Sequence, residues 1–254
     1  MNALPKVISL FLLFSLLLTG CASFGGSRVS SEDAETASRY VEIGFRHMEF
    51  DNAQQARRSF REALSLNPRS SGGHLGMALV YQREGESELA EDYFKRAMSL
   101  DDDTQYVHLY GQFLFRQGRL NEAKEQITLA TSNPDYAQRG AAFEDLATIN
   151  LYERDMESAK RHFDRAIQLN RMLPMPYWHM TNIYMREGDI QRAMEYYEGL
   201  DNLVSAEVMD HTEESLILGL RVSQAVEREE TYSGLLEILQ EQYPESRYLR
   251  DMDR

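Results

Sequence analysis

From about residue 37 onward the apolar positions fall three and four residues apart, the spacing that gathers them on one face of a helix. These blocks are punctuated by Asn67-Pro68, Asn133-Pro134 and Pro174-Met175-Pro176, where helices must stop or start. One block, with Tyr40, Ile43, Gly44 and His47, is followed by a second with Ala56, Phe60 and Ala63. The order of bulky and small residues then returns. His74, Met77, Ala78 and Tyr81 precede Ala90, Phe94 and Ala97, and Val107, Tyr110, Gly111 and Leu114 precede Ala123, Ile127 and Ala130. Phe143, Leu146, Ala147 and Asn150 precede Ala159, Phe163 and Ala166, while Tyr177, Met180, Thr181 and Tyr184 precede Ala193 and Tyr197. A degenerate last copy holds Ser215, Leu218, Gly219 and Val222, then Leu235 and Ile238. The small residue recurs at 44, 78, 111, 147, 181 and 219, in steps of 34, 33, 36, 34 and 38.

Paired helices at this period, with Trp-x₂-Leu-Gly-x₂-Tyr, then Ala-x₃-Phe and Pro, define the tetratricopeptide repeat, and the copies resemble it with conservative replacements at the aromatic positions. The small residue lets the second helix of a pair come close, and the Ala and Phe of that helix fill the seam. One pair cannot cover its own apolar face, so pairs must stack. The expected fold is all-α, a right-handed superhelix (solenoid) of six helix pairs over residues 36–250. The units are expected at about 37–70, 71–103, 104–139, 140–173, 174–211 and 212–250. The longer steps put modest loop extensions near 131–139 and 202–210, which cost little.

Composition narrows the function. The 254 residues carry 43% hydrophobic and 27% charged side chains, a net charge of −14 and one Cys. That balance is too apolar for a disordered chain. A single thiol closes no internal disulfide and builds no thiolate zinc cluster, and the acidity disfavours nucleic acid, whose phosphates call for a basic face.

The N-terminus has Lys6 and an apolar run from Val7 to Leu18, too short at roughly 18 Å to span a hydrocarbon core of about 30 Å. It reads as a secretory leader. Leu18-Thr19-Gly20-Cys21 resembles the bacterial lipobox, in which the cysteine follows the cleavage site. That resemblance implies removal of residues 1–20, a diacylglyceryl group on the Cys21 sulfur and an N-acyl chain. An uncleaved anchor or a free thiol is the competing reading. Ala22 and Ser23, with no Asp after the cysteine, imply lipid anchoring on the periplasmic face of the outer membrane. Residues 21–35 are rich in Ser, Gly and small polar residues and read as a flexible tether, with a reach of roughly 20 Å.

No catalytic constellation stands out. There is no Gly-rich phosphate loop, His-Glu-x-x-His or Gly-x-Ser-x-Gly. Histidines 47, 74, 108, 162, 179 and 211 lack ligand spacing, and Asp101-Asp102-Asp103 has Tyr106 where a calcium loop needs Gly. The chain is therefore expected to be no enzyme and to need no cofactor or metal.

Superhelices of this kind bind extended peptides along their first helices. The positions facing that groove are Val41, Phe45 and Met48 in repeat one, Leu75 and Leu79 in repeat two, His108, Gln112 and Phe115 in repeat three, and Glu144, Thr148 and Leu151 in repeat four. The apolar ones cluster in the first two repeats, as a partner surface would; packing against the neighbouring helix or the tether explains them equally well. Trp178, beside Met175 and Met185, is either a second anchor or a plug between repeats. Few groove positions are basic, and no Lys/Arg clamp for a peptide carboxylate is evident.

Beyond the generic repeat residues, several segments carry a narrower likeness: Leu109-Tyr110-Gly111-Gln112-Phe113-Leu114 with Gly118-x-Leu120-x-Glu122-Ala123, Leu169-Asn170-Arg171, Ser215-Leu216-Ile217-Leu218-Gly219-Leu220-Arg221, and Tyr243-Pro244-x-Ser246. With the lipobox and six repeats, the chain resembles the PilF/PilW family of type IV pilus biogenesis lipoproteins over nearly its whole length. Leu109 departs from the Asn common there. The resemblance implies a pilotin or related assembly factor that binds the outer-membrane secretin, promotes its localisation or multimerisation, or supports pilus stability and twitching motility. The folded domain is then expected to be monomeric, with the secretin and other pilus assembly proteins as partners. The competing class is a repeat lipoprotein that regulates a cell-wall enzyme or scaffolds outer-membrane protein assembly.

Overall fold

The computed structural model describes residues 29–252; Cys21, the leader and most of the expected tether lie outside the described residues. Thirteen α-helices and no strand occur among the described residues. Six pairs run in order: α1 (Ser31–Glu49) with α2 (Ala53–Leu66), α3 (Ser71–Glu84) with α4 (Ser87–Leu100), α5 (Thr104–Arg116) with α6 (Leu120–Ser132), α7 (Arg139–Tyr152) with α8 (Met156–Leu169), α9 (Pro174–Glu187) with α10 (Ile190–Ser205), and α11 (Glu213–Ala225) with α12 (Glu229–Gln242). A short α13 (Arg247–Met252) follows the last pair. Every pair packs within itself and then against the next pair, so the all-α stack is a superhelix of tetratricopeptide type.

The expected tether ends earlier than residue 35. Ser30 has extended backbone and its Oγ accepts from the Asp33 amide at 3.0 Å, which opens α1 at Ser31. Glu32 and Asp33 in the first turn add favourable charge at the helix N-terminus. Residues 31–35 are therefore helical.

The second helix of each pair supplies the seam. Ala56, Phe60 and Ala63 on α2, Ala90, Phe94 and Ala97 on α4, Ala123, Ile127 and Ala130 on α6, and Ala159, Phe163 and Ala166 on α8 are all buried. Small residues on the first helices make room for them: a Cβ on Gly44 or on Gly76 would fall on the Phe60 ring. Phe60 is thus gripped by two successive first helices, which locks repeat one to repeat two.

The turn inside each pair is built six times in the same way. A residue with positive φ follows the first helix, at Asp51, Gly85, Gly118, Arg154, Gly188 and Glu227. The next amide returns to a carbonyl five residues back, as Glu86 N to Tyr81 O at 2.9 Å and Asp155 N to Asn150 O at 2.9 Å. Between pairs, Asn67, Asn133 and Asn170 turn the chain by accepting, on Oδ1, the amide two residues on, at 3.0, 3.0 and 2.9 Å.

Candidate functional site

The first helices α1, α3, α5, α7 and α9 present a face that divides into three stretches of different chemistry. In the first stretch Val41, Phe45, Met48 and Leu79 are half-buried and lie together between repeats one and two. The Val41 side chain sits over Gly72, where a Cβ would stand 3.0 Å from Cγ1. Phe45 meets Phe60 edge to face at 5.1 Å between centroids. Leu75, expected on the groove, is instead only 3% exposed. It joins the core with Tyr106 and Tyr110 because the glycine-rich start of α3 seats the helix deep among its neighbours, and it offers nothing to a partner.

The middle stretch is polar and mostly internal. His108, also expected to face the groove, is 1% exposed. Its Nε2 lies 2.8 Å from Asp145 Oδ2 and its Nδ1 2.9 Å from the Tyr136 hydroxyl. A carboxylate can only accept, so in the neutral ring Nε2 donates to Asp145 and Nδ1 accepts from Tyr136. Gln112 Nε2 donates to the same Asp145 oxygen at 2.7 Å. The cluster ties α5 to α7 and to the extended loop after α6. Beside it, burial, helped by the charge of Asp145, pushes the Glu144 carboxyl up to about 7. Burial also lowers Arg116, which reaches Gln82 Oε1 at 2.8 Å.

The third stretch is open. Of the successive first helices α1 and α3 pack closest, and a cleft of about 460 Å³ lies between α7 and α9. Leu151 of α7 and Met156 of α8 form one wall; Trp178, His179, Asn182, Ile183, Arg186 and Glu187 of α9 form the other. Trp178 is half-buried and meets His179 edge to face at 5.0 Å; His179 in turn stacks on Phe163 at 4.9 Å. Asn182 Nδ2 donates to the Trp178 carbonyl at 2.8 Å, which leaves its Oδ1 available as an acceptor. Glu187 is held by Lys160 at 3.0 Å. Arg186 is exposed and has no ion pair or hydrogen bond from its side chain among the described residues.

The expected residues thus fall into two places. Val41, Phe45, Met48 and Leu79 come together in the first stretch, with Leu75 withdrawn into the core, and Trp178 stands apart in the cleft. Its expected companions differ too: Met185 packs on the core cluster, Met175 is exposed outside the cleft lining, and Arg186, Asn182 and Met156 take their place. The spacing 178, 182, 186 is one stripe of a helix and was available as a signal. A second cavity, of about 530 Å³, lies among polar loop residues including Asp102, Asp103 and Tyr136. Among the described residues no group of His, Cys, Asp and Glu has the arrangement of a metal site, and no helix is long and apolar enough to cross a membrane.

Stacked hairpins with an Ala/Phe seam and a recurrent turn at the period above make this a tetratricopeptide-repeat scaffold, and the family model described as tetratricopeptide repeat matches residues 73–104. The type IV pilus assembly protein PilF of Pseudomonas aeruginosa is 28% identical over 242 residues, covering 94% of each chain. Its structure superposes with a TM-score of 0.77 at 27% identity, over 87% of this chain and 98% of that one. The structure of PilW, described as a widely conserved type IV pilus biogenesis factor, has a TM-score of 0.71 at 20% identity over 86% and 98%. An uncharacterised Haemophilus influenzae protein is 24% identical over 63% of this chain and 93% of its own. Along most of its length the chain is thus similar to PilF, and in fold to PilW as well.

Proposed function

We propose that this protein is a lipid-anchored adaptor for type IV pilus biogenesis, held at the outer membrane through Cys21 and acting on the secretin through the face of its first helices. The observation that carries the proposal is the likeness to PilF along 94% of both chains, which takes in all six pairs and not one generic repeat. The physics of the parts supports it. Two or more lipid chains on one cysteine anchor durably where a single chain does not, and tethering raises the local concentration of a partner without adding any contact. The work left to the folded part is recognition, for which a scaffold without catalytic machinery suffices.

A deletion strain should lose twitching motility and secretin multimers, and Cys21→Ser should leave the domain folded but leave secretin in the inner membrane. Normal multimers at the outer membrane in the Cys21→Ser strain would overturn the pilotin reading. Met48→Glu combined with Leu79→Glu should abolish pull-down of the secretin with the helical content unchanged by circular dichroism. Undiminished pull-down would remove the first stretch as the docking strip.

A further inference from the structure

We propose that the outer face of α1, turned away from repeat two, is a self-association surface on which a second copy of this protein packs antiparallel across a two-fold axis. The internal repeat shows what kind of face it is. The places held by Arg39, Ile43 and Arg46 recur as Gly73, Met77 and Val80 in α3 and as Tyr106, Tyr110 and Phe113 in α5, and all six are buried. There they meet the pair before: Met77 and Val80 cluster with Phe60, while Tyr110 and Phe113 meet the Phe94 ring at 5.8 and 5.3 Å. The same places in α7 and α9 are buried and uncharged as well. No pair precedes α1 among the described residues, so its face lies open. Ile43 is 41% exposed there, and Phe50, whose place in the next four copies holds Glu or Gln, is 76% exposed. Arginines at two of the buried places suit an end in water, but an apolar strip kept beside them has the composition of a reversible interface.

Charge and register select a second copy as the occupant. Ile43 and Phe50 lie seven residues apart and form one strip along the helix; Arg39 and Arg46 form the next, and Glu42 and Glu49 a third. A two-fold axis perpendicular to two antiparallel helices brings the same flank of each copy together, so arginine and glutamate strips meet their own counterparts. With the axis level with residue 44, Arg46 stands opposite Glu42 of the second copy and Arg39 opposite its Glu49, and symmetry repeats both pairs. Ile43 then lies roughly 3 Å along the axis from its own counterpart, and Phe50 comes level with Arg39 of the second copy, where ring and guanidinium attract. Glu42, Arg46 and Glu49 are exposed and have no ion pair among the described residues. Arg39 holds only Glu35, in a pair 70% and 68% exposed that exchanges at little cost. A strip of this size buries on the order of 1,000 Å² over both copies, the low end for a specific interface, so association in solution is weak, on the order of 10–100 µM. The monomer expected from the sequence is then the dilute form. Where Cys21 is acylated, a step that rests on the lipobox reading, the short stretch from Cys21 to Ser31 holds α1 of each copy near one membrane and raises the local concentration.

The test is sedimentation velocity on the chain from residue 21 onward with Cys21→Ser, at about 5–500 µM, which brackets the expected affinity. A monomer–dimer equilibrium is expected with no larger species, because a two-fold interface closes on itself. Ile43→Lys, at a position already partly in water, should weaken the dimer at least tenfold and leave the circular dichroism unchanged. Arg46→Glu and Glu42→Arg should each weaken self-association about threefold to tenfold. Mixed together, these two variants should pair with one another as tightly as the parent does, and the double variant carrying both changes should regain the parental dimer. A monomer over the whole range, a dimer indifferent to Ile43→Lys, or charge variants that fail to rescue each other would each overturn the proposal. Dimers that form only once residues 21–28 are removed would assign the face to that segment instead, and growth into longer chains of copies would assign it to the opposite end of the stack. The outcome is separable from the pilus reading: normal twitching in a deletion strain would sink that reading and leave this equilibrium as it is.

Discussion

Glu91 on α4 and Glu144 on α7 are both helical glutamates, and their surroundings drive them in opposite directions. Glu91 accepts from Arg119 at 2.6 Å and from the Tyr110 hydroxyl at 2.9 Å, and these bonds, Arg119's above all, hold its carboxyl down near 2 against the pull of burial. Glu144 has burial with a like charge beside it, and is pushed up to about 7. The sign of its effect on stability follows. Below about pH 4.5 the group is protonated in both states and contributes nothing. As pH rises from there to about 7 the unfolded chain gives up the proton that the folded chain retains, so stability falls, and above 7 the penalty is constant. Glu144→Gln should therefore leave stability nearly unchanged at pH 4.5 and raise it by about 1–2 kcal/mol at pH 8. Urea unfolding at the two pH values checks this, and a stability gap that does not grow with pH would show that Glu144 is solvated. At this scale the sequence was least informative. The spacing that put Leu75 and His108 on the groove stripe is right for an isolated helix, but the depth to which a helix sinks depends on what its neighbours leave open, here the small residues of α3, the Asp145 of the next repeat and the Tyr136 of the loop after α6.

At the level of elements nearly everything was legible, because the repeat restates the same contacts six times and each copy averages out the exceptions of the others. The helix pairs, the buried Ala and Phe positions and the Asn turns could all be read from spacing. What escaped was the turn in the pairs that lack glycine. Gly85, Gly118 and Gly188 mark it in repeats two, three and five, but Asp51, Arg154 and Glu227 adopt the same left-handed conformation at φ 57°, 62° and 57°. Nothing in their chemistry announces this; the helix ends on either side impose it. A side chain in that region carries a steric cost that glycine does not. Arg154 is the cleanest case, since its amide already makes the turn bond to Leu151 O at 3.0 Å and no ion pair from its side chain occurs among the described residues. Arg154→Gly should stabilise the protein by about 0.5–1 kcal/mol. The same exchange one residue earlier, Glu153→Gly, lies in right-handed backbone and removes the partner of Lys124, so it should destabilise. Thermal denaturation of the two variants separates them, and equal effects would mean that the turn carries no strain.

The molecule as a whole is a row of three apolar clusters and not one core. The first joins α2 and α3, the second runs from α3 to α7, and the third from α7 to α12, so that α3 and α7 each serve two clusters. In such an array each repeat is stabilised chiefly by its neighbours, and damage at an end need not travel. Repeat six shares the third cluster with repeat five, and one of its tightest fits is at Gly219, where a Cβ would fall on the Tyr197 hydroxyl and stand 2.7 Å from Leu235 Cδ1. Tyr197 is 1% exposed and walled in by Leu200 and Leu216, so it cannot swing aside. Gly219→Val should therefore separate α11 and α12 from the stack at a cost of about 2–3 kcal/mol. Hydrogen exchange should show residues 213–252 losing protection while residues 31–187 keep theirs. Gly234→Ala is the contrasting change, because Gly234 lies mid-helix in α12 with open space around it, and there a methyl group should stabilise by about 0.8–1 kcal/mol. If Gly219→Val instead lowers protection evenly from α1 to α12, the three clusters unfold as one, and binding faces at the two ends of the row could not be altered independently of each other.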